Sequence, residues 1–262
     1  MRRAMSMVCS AMPKVKTIFI TGATSGVGYA LTKRLLSEGH RVWATGRSTG
    51  PLKQLQAEGA KIIQVDLSNR KEMDRLLLTI ETPDVVIFSA GIGTFSYAYD
   101  ATDEMIESIM DVNVVVPMQL TRRLLPRMMK RKKGHLMYIG SQAGKVATPK
   151  ASIYAASKHA LIGYTNALRM ELAPFNMHVT TIHPGPIDTP FLDLADRSGK
   201  YRTSVGRHLL TVQTVVDAIL RAIEKPVREV NLPWYMGITS KLYALMPSFI
   251  ERVGRKFFYK KD

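Results

Sequence analysis

The stretch "KTIFITGATSGVGYALTKRLLSEG" (residues 16–39) decides the fold class of this chain. It begins with a short apolar run rich in β-branched side chains, which is typical of a buried strand. Gly22, Gly26 and Gly28 follow, and an amphipathic helical pattern starts at the last of them. Glycines at such a turn let backbone amides approach a pyrophosphate closely, and the helix N-terminus favours its negative charge. The alternative is an ordinary glycine-rich turn, because the spacing G-x-x-x-G-x-G differs from the common G-x-G-x-x-G fingerprint.

The alternation of apolar runs and helix-period segments continues along the chain and predicts βαβ units around a parallel sheet. Helical patterns fill the gaps between the first six runs, and another near residues 211–224 leads to the seventh. With right-handed crossovers we expect a doubly wound, Rossmann-type α/β sheet of strand order 3-2-1-4-5-6-7, with helices on both faces. The predicted strands are residues 16–22, 40–46, 60–67, 84–91, 134–141, 177–185 and 228–233.

Composition limits the class of protein. A chain of 262 residues, 46% hydrophobic and without a repeat, is enough for one large core. Its single cysteine, Cys9, cannot form an intrachain disulfide and indicates a reducing, cytoplasmic compartment. No apolar run approaches the roughly 20 residues of a membrane-spanning helix. The net charge of +16 leaves nucleic acid, an anionic membrane surface or an anionic ligand as partners.

A second motif, "YAASK" (residues 154–158), places Tyr154 and Lys158 one turn apart on the same helix face. Together with T-G-x-x-x-G-x-G, this pair resembles the short-chain dehydrogenase/reductase family, and the match extends over about residues 15–232. Further matching positions are Asp66 in "VDLS", Asn113 in "DVNVVVP", Ser141 in "GSQAG" and the segment "HPGPIDTP" at residues 183–190.

The resemblance implies a catalytic set of Asn113, Ser141, Tyr154 and Lys158. A phenol with a pKa near 10 is a poor acid at neutral pH, so we expect the Lys158 ammonium, aided by an oxidised nicotinamide, to lower that pKa. Tyr154 would donate a proton to a reduced carbonyl, Ser141 would steady its oxygen, and Asn113 would hold a water for proton relay. The alternative is a set of unrelated surface and packing residues.

The resemblance also implies a nicotinamide cofactor, and the region after strand two predicts NADP. "WATGRSTG" (residues 43–50) lacks the acid that would bind the adenosine ribose, and it offers Arg47 to a 2′-phosphate. Asp66 would bracket the adenine. The predicted cofactor-binding residues are Gly22, Thr24, Ser25, Gly26, Val27, Gly28, Arg47, Asp66, Leu67, Ala90, Gly91, Tyr154, Lys158, Pro184, Gly185, Ile187 and Thr189.

Two features depart from the expected pattern. "FSAG" stands where the family usually has N-N-A-G, so Phe88 and Ser89 replace two asparagines and we expect altered hydrogen bonding with cofactor binding retained. His183 could be a catalytic base, but its place at a strand end favours a packed structural histidine. No cluster of His, Cys and acidic residues has metal-ligand spacing, so no metal is predicted.

The functional prediction is an NADP-dependent oxidoreductase that interconverts a carbonyl and a secondary alcohol on a small, lipophilic substrate. The alternative is a noncatalytic dinucleotide-binding regulator on the same fold. A nucleic-acid-binding protein is disfavoured, since no recognisable module is present. By resemblance, helices near residues 101–130 and 150–174 would form a homodimer or homotetramer.

The chain divides into a predicted disordered extension (1–14, with Met12 an alternative start), a catalytic domain (15–237) and a basic amphipathic C-terminal tail (238–262). In the tail, apolar residues recur at helical steps and basic residues accompany them. The tail either packs on its own or a neighbouring subunit, or lies on an anionic membrane surface as a peripheral contact. The apolar positions are Leu242, Leu245, Met246, Phe249, Ile250 and Val253, and Phe257, Phe258 and Tyr259 add aromatic rings.

Overall fold

The computed structural model describes residues 14–196 and 198–255, and within them seven parallel strands form one sheet of order β3-β2-β1-β4-β5-β6-β7. All the predicted strands and their order are confirmed, and the strand ends differ from the prediction by at most three residues. The strands are β1 (Thr17–Thr21), β2 (Arg41–Gly46), β3 (Lys61–Gln64), β4 (Val85–Phe88), β5 (Gly134–Ile139), β6 (Met177–Pro184) and β7 (Glu229–Leu232).

Helices cover both faces of this sheet, and each face has its own core. Ile18 of β1 packs in one cluster with side chains of α1, α2 and α9, whereas the adjacent Phe19 packs in the other with α3, α5 and α6. The helices are α1 (Gly26–Ser37), α2 (Thr49–Ala57), α3 (Arg70–Thr79), α4 (Asp103–Met110), α5 (Val116–Lys130), α6 (Ser152–Leu172), α7 (Pro190–Ala195), α8 (Lys200–Val205), α9 (Val212–Glu224), α10 (Tyr235–Leu245) and α11 (Pro247–Val253).

The order of the strands in the sheet reverses next to β1. β1 pairs with β2 on one side and with β4 on the other, so strand order reverses next to β1. In open parallel sheets, a crevice forms outside the carboxyl ends of the strands at such a point. The glycine turn that follows β1 therefore opens into the crevice.

The segment between β4 and β5 contains an interruption that helical periodicity alone does not predict. A π-helical turn at Asp111–Val115 separates α4 from α5 and contains Asn113, whose side chain is buried. Such turns often occur at functional positions.

The C-terminal part is helical as far as the structure describes it. Pro247 begins α11, where its missing N–H group costs no helical hydrogen bond. The predicted boundary between residues 237 and 238 falls inside α10, since this helix starts at Tyr235. Residues 1–13 and 256–262, including most of the predicted extension and Phe257, Phe258 and Tyr259, lie outside the described residues. Within the described ranges, every helix is too short or too polar to cross a membrane.

Candidate active site

A cavity of about 680 Å³ lies at the carboxyl ends of the strands. Its walls include the turns that follow β1, β3, β4, β5 and β6, together with parts of α6, α10 and α11. Of the predicted catalytic and cofactor-binding residues, all line the cavity except Gly28 and Asn113. The structure therefore brings together residues separated by up to about two thirds of the chain.

The glycine turn after β1 is packed too tightly for larger residues. Gly22 has φ +67°, and a Cβ atom there would lie 2.6 Å from the Cα of Ala90. A Cβ atom on Gly28 would lie 2.3 Å from the carbonyl oxygen of Gly22. Gly28 is thus a packing residue beneath the turn, and the cavity wall itself is formed by the residues before it.

Tyr154, Lys158 and Ser141 form a compact group in the cavity wall. The first two lie one turn apart on α6, with the Lys158 Nζ atom 5.7 Å from the centre of the Tyr154 ring. The same Nζ atom donates a hydrogen bond of 2.9 Å to the carbonyl oxygen of Ile139 at the end of β5. Ser141 begins a short 3₁₀ turn after β5, and its Oγ accepts a hydrogen bond of 3.1 Å from the Ala143 amide.

Burial dominates the ionisation of this group. Tyr154 is only partly buried as a residue, but its hydroxyl is desolvated. Desolvation raises the pKa of Tyr154 to about 12, and a hydrogen bond with Ser141 offsets part of that rise. Burial of Lys158 lowers the pKa of its ammonium to about 8. The expected lowering of the tyrosine pKa is therefore not produced by the protein groups alone. The desolvation of the phenol outweighs the lysine, whose Nζ lies over the ring and is bonded to a backbone carbonyl.

Asn113 acts on the backbone beside the cavity. Its Oδ1 accepts a hydrogen bond from the Ile92 amide (2.9 Å), and its Nδ2 donates to the Ile92 carbonyl oxygen (2.8 Å) and to Ser157 Oγ (3.0 Å). Asn113 therefore ties the turn after β4 to α6, next to Lys158. This fixes the position of Gly91, where a Cβ atom would lie 3.4 Å from Asn113 Oδ1 and 3.7 Å from Lys158 Nζ.

The two residues that replace asparagines after β4 have different roles. Phe88 is buried in the core and stacks on Tyr138, with ring centres 4.5 Å apart, and the Tyr138 hydroxyl is 2.7 Å from Thr121 Oγ1. Ser89 lines the cavity beside the glycine turn. Aromatic packing therefore occupies the first of the two positions, and the expected retention of cofactor binding stays a prediction.

Arg47 and Asp66 line the end of the cavity near β2 and β3, and both are exposed. The carbonyl oxygen of Arg47 accepts a hydrogen bond of 3.0 Å from Gln64, which fixes its backbone and leaves the guanidinium outside that contact. Asp66 accepts a hydrogen bond of 3.0 Å from the Ser68 amide. An adjoining smaller cavity is lined by Arg47, Asp66 and Arg75, so a second basic side chain lies near this end.

A polar network behind Ser141 is a feature that the sequence motifs did not indicate. Gln142 Nε2 donates to the His183 carbonyl oxygen (2.8 Å) and to Asn231 Oδ1 of β7 (3.1 Å). Lys145 Nζ donates to the same Asn231 oxygen and to Glu229, each at 2.9 Å. The 3₁₀ turn that begins at Ser141 is thereby fixed to the edge strand.

His183 lies behind the cavity wall. Its side chain is fully buried, and burial lowers its pKa to about 4, so the imidazole is neutral at physiological pH. A Cβ atom on Gly140 would lie 2.8 Å from His183 Nδ1. His183 is therefore a closely packed histidine, as the sequence predicts.

The remaining wall around Tyr154 is mostly aromatic and apolar. The Tyr154 ring lies 5.6 Å from that of Phe191, and Tyr201 packs edge-on against Phe95 at 4.9 Å. Gly93 permits this arrangement, because a Cβ atom there would lie 2.8 Å from the Tyr154 and Phe191 rings. Other apolar members of the wall are Val146, Leu192, Val205, Met236 and Ile250.

A cluster of salt bridges stabilises the segment that carries Phe191 and Tyr201. Arg202 of α8 pairs with Asp188 and with Asp193, and its guanidinium also donates to the Thr189 carbonyl oxygen. These contacts join α8 to the turn after β6. Tyr201 is thus held against the cavity by its neighbour in sequence.

Comparison with known proteins identifies the family of this chain. The model of the short chain dehydrogenase family matches residues 16–198. The chain belongs to the short-chain dehydrogenase family. An uncharacterized oxidoreductase of Staphylococcus aureus is 32% identical over 225 residues, which cover 83% of this chain and 94% of the relative. The protein is therefore an oxidoreductase of this family.

Solved structures of the family show the same fold. The closed form of a serine dehydrogenase complexed with NADP⁺ is 28% identical, with a TM-score of 0.78 over 82% of this chain and 93% of that one. A 4-hydroxyisoleucine dehydrogenase complexed with NADH is 29% identical, with a TM-score of 0.75 over 82% and 96%. Both of these related dehydrogenases were thus solved as complexes with a nicotinamide dinucleotide.

Proposed function

We propose that this protein is an NADP(H)-dependent oxidoreductase that interconverts a carbonyl and a secondary alcohol on a small, neutral, lipophilic substrate. The observation that carries the proposal is the placement of Tyr154, Ser141 and Lys158 in the wall of one cavity that also contains the glycine turn. A family member without this group would keep the fold and lose the chemistry.

The residues present fit a dinucleotide. Ser25, Gly26 and Val27 at the start of α1 line the cavity, so the positive end of this helix borders the space where a pyrophosphate would be held. The two related structures named above contain NADP⁺ and NADH respectively, so the preference for NADP rests on this chain's own residues. Arg47 supplies a cation for a 2′-phosphate, and the β2 turn "GRST" supplies no acid to bind the ribose hydroxyls.

The bound nicotinamide would supply or accept the hydride. The raised pKa of Tyr154 keeps its hydroxyl protonated at neutral pH, so its Oη atom can donate a proton to the oxygen of a carbonyl being reduced. Ser141 orients that hydroxyl and offers a hydrogen bond to the same oxygen. The Lys158 ammonium, protonated below a pKa of about 8, stabilises the phenolate that remains.

The nature of the cavity wall supports a neutral, lipophilic substrate. Among the described residues that line the cavity, the charged side chains are Arg47, Asp66 and Lys158. None of them lies on residues 92–95, 190–205 or 235–254, which supply most of the aromatic and apolar side chains of the wall. A charged amino acid would lose its hydration against this wall, and the nearby Lys158 ammonium already donates a hydrogen bond to the Ile139 carbonyl oxygen, so the loss is poorly offset. The substrate class therefore differs from that named for the two related dehydrogenases.

Assembly and location complete the proposal. We propose a cytoplasmic homodimer or homotetramer built through α4, α5 and α6, with the π-helical turn between the first two. The exposed apolar side chains of these segments include Ile106, Val115 and Met170. We also propose a peripheral contact with an anionic membrane through the C-terminal tail.

A turnover screen tests the proposal. The protein is incubated with NADPH or NADP⁺ and a set of neutral aliphatic and aromatic ketones and aldehydes, and the nicotinamide absorbance is followed. Serine and other charged amino acids form the comparison set. We expect turnover of neutral compounds by the wild type and none by Tyr154→Phe. Tight NADPH binding without turnover of any compound would instead support the noncatalytic regulator.

A further inference from the structure

The C-terminal helix pair, α10 and α11, has two different faces. One face lines the cavity through Met236, Thr239 and Tyr243, which are spaced three and four residues apart on α10, and through Ile250 of α11. These spacings keep side chains on the same side of a helix. The helix pair is therefore part of the substrate wall.

The opposite face is apolar and exposed. Ile238, Leu242 and Leu245 follow the same spacing on α10 with exposed fractions of 53%, 50% and 77%, and Phe249 and Val253 are 60% and 72% exposed on α11. Of the sixteen large apolar side chains that are exposed among the described residues, eight lie between residues 234 and 253. Contiguous patches of this kind mark interaction sites.

Charge identifies what covers this face. Residues 234–262 contain six cations and two acids, and the whole chain has a net charge of +16. A second copy would bring the same basic, apolar surface to a symmetric contact, so like charges would face each other. An anionic lipid surface is complementary to both the charge and the apolar residues. Trp234 and Tyr235, 73% and 41% exposed at the start of α10, are side chains that favour the membrane–water interface.

We propose that the C-terminal helix pair lies on the surface of an anionic bilayer. Its exposed face inserts among the lipid headgroups, while its inner face remains the wall of the cavity beside Tyr154. A lipophilic carbonyl or alcohol dissolved in the membrane then reaches the active site past α10 and α11. The entry of such a substrate rests on the proposed oxidoreductase activity, whereas the membrane contact does not.

Vesicle binding by the full-length protein tests the contact. Sedimentation with phosphatidylglycerol vesicles is compared with sedimentation with phosphatidylcholine vesicles, at low and high salt. We expect binding to the anionic vesicles that weakens with salt, since each basic residue near such a surface contributes about fivefold in partitioning.

Two matched variants locate the contact. Leu245→Ser/Phe249→Ser removes exposed apolar groups that do not line the cavity, and we expect binding to fall by roughly tenfold or more. Val15→Ser/Leu78→Ser makes the same chemical change at residues 54% and 88% exposed elsewhere, and binding should not change.

The outcomes are distinct. Absence of wild-type binding to phosphatidylglycerol overturns the proposal, and equal binding by Leu245→Ser/Phe249→Ser overturns the role of the helix pair. A wild-type dimer that this variant dissociates, without vesicle binding by either protein, would assign the face to a second copy and also overturn the proposal. Turnover of a water-soluble carbonyl without vesicles should be equal in the wild type and the variant. Absence of this turnover from both proteins would refute the proposed oxidoreductase activity. It would not change the conclusion drawn from vesicle binding.

Discussion

Replacement of Tyr154 by Phe removes one atom from the centre of the candidate active site. The ring would keep its contact with Phe191 at 5.6 Å and its place against Gly93, because both contacts are made by ring carbons. The lost group is the desolvated hydroxyl that is hydrogen-bonded to Ser141. We therefore expect the variant to fold and to retain the wall of the cavity.

The burial of that hydroxyl determines how much the substitution changes stability and turnover. A net hydrogen bond contributes about 0.5–1.5 kcal/mol, and removal of a polar group from a desolvated position offsets part of this loss, so the melting temperature should change by only a few degrees. Turnover depends on the proton, which the raised pKa of about 12 keeps on the oxygen at neutral pH. A positioned proton donor contributes on the order of 10²–10⁴-fold. The predicted loss of kcat is therefore at least about a hundredfold, with NADPH affinity changed by less than about threefold.

The assay follows NADPH oxidation with a carbonyl identified in the screen, alongside NADPH binding and thermal unfolding. Tyr201→Phe is the matched control, since Tyr201 also lines the cavity and burial likewise raises its pKa to about 12. We expect this control to stay within a few fold of the wild type. Retention of more than about a tenth of wild-type turnover by Tyr154→Phe would refute its role as the acid, as would an equal loss in both variants.

Further expectations concern the cofactor, pH, packing and assembly. Arg47→Ala should weaken NADPH binding about tenfold to a hundredfold and leave NADH binding unchanged, since a charge-assisted hydrogen bond contributes about 1.5–3 kcal/mol; Arg75→Ala, in the adjoining cavity, should have a smaller effect, and equal losses for both cofactors would reject the assignment. The ammonium of Lys158 is present below its pKa of about 8 and lost above it, so kcat/KM for NADPH should fall as pH rises through about 8; a flat profile up to pH about 10 would contradict this reasoning. Gly28→Ala should destabilise the protein by about 1–3 kcal/mol in denaturant unfolding, because its Cβ would lie 2.3 Å from a carbonyl oxygen, whereas Gly163→Ala, with open space around it in α6, should not be destabilising. Sedimentation should show a dimer or tetramer at micromolar concentration, and a monomer alone would count against association through α4–α6.

Much of this fold follows from local sequence patterns. Short β-branched runs flanked by helix-period segments predict parallel strands with right-handed crossovers, which limits the possible strand orders to a few. Strand number therefore follows from the pattern, and the predicted order is one of the common doubly wound arrangements. Most of the predicted site residues meet in the cavity for the same reason, since Gly22, Asp66, Ala90, Ser141 and Gly185 each follow the carboxyl end of a strand.

Other parts of the site depend on contacts that no local pattern encodes. The motif around Asn113 indicates its importance, but its hydrogen bonds to Ile92 and Ser157 require the π-helical turn that directs it inward. Phe88 is an exception to the family pattern in sequence and a packing residue in space, because the stacked ring of Tyr138 comes from the neighbouring strand β5. The roles of Asn113 and Phe88 are therefore set by tertiary contacts, and neighbouring residues in the sequence do not indicate these contacts.

The C-terminal segment presented alternatives that the sequence could not separate, and the contacts of α10 explain why. A helix with two apolar faces satisfies both the packing and the membrane interpretation, and periodicity does not distinguish which face is covered. The inner face packs toward the turn that carries Ser141. A Cβ atom on Gly237 would lie 2.8 Å from the Asn231 side-chain amide, and Asn231 accepts a hydrogen bond from Gln142, the residue after Ser141. A displacement of α10 toward β7 would therefore move a side chain that holds the Ser141 turn. The same helix thus connects the exposed apolar face with the turn that carries Ser141.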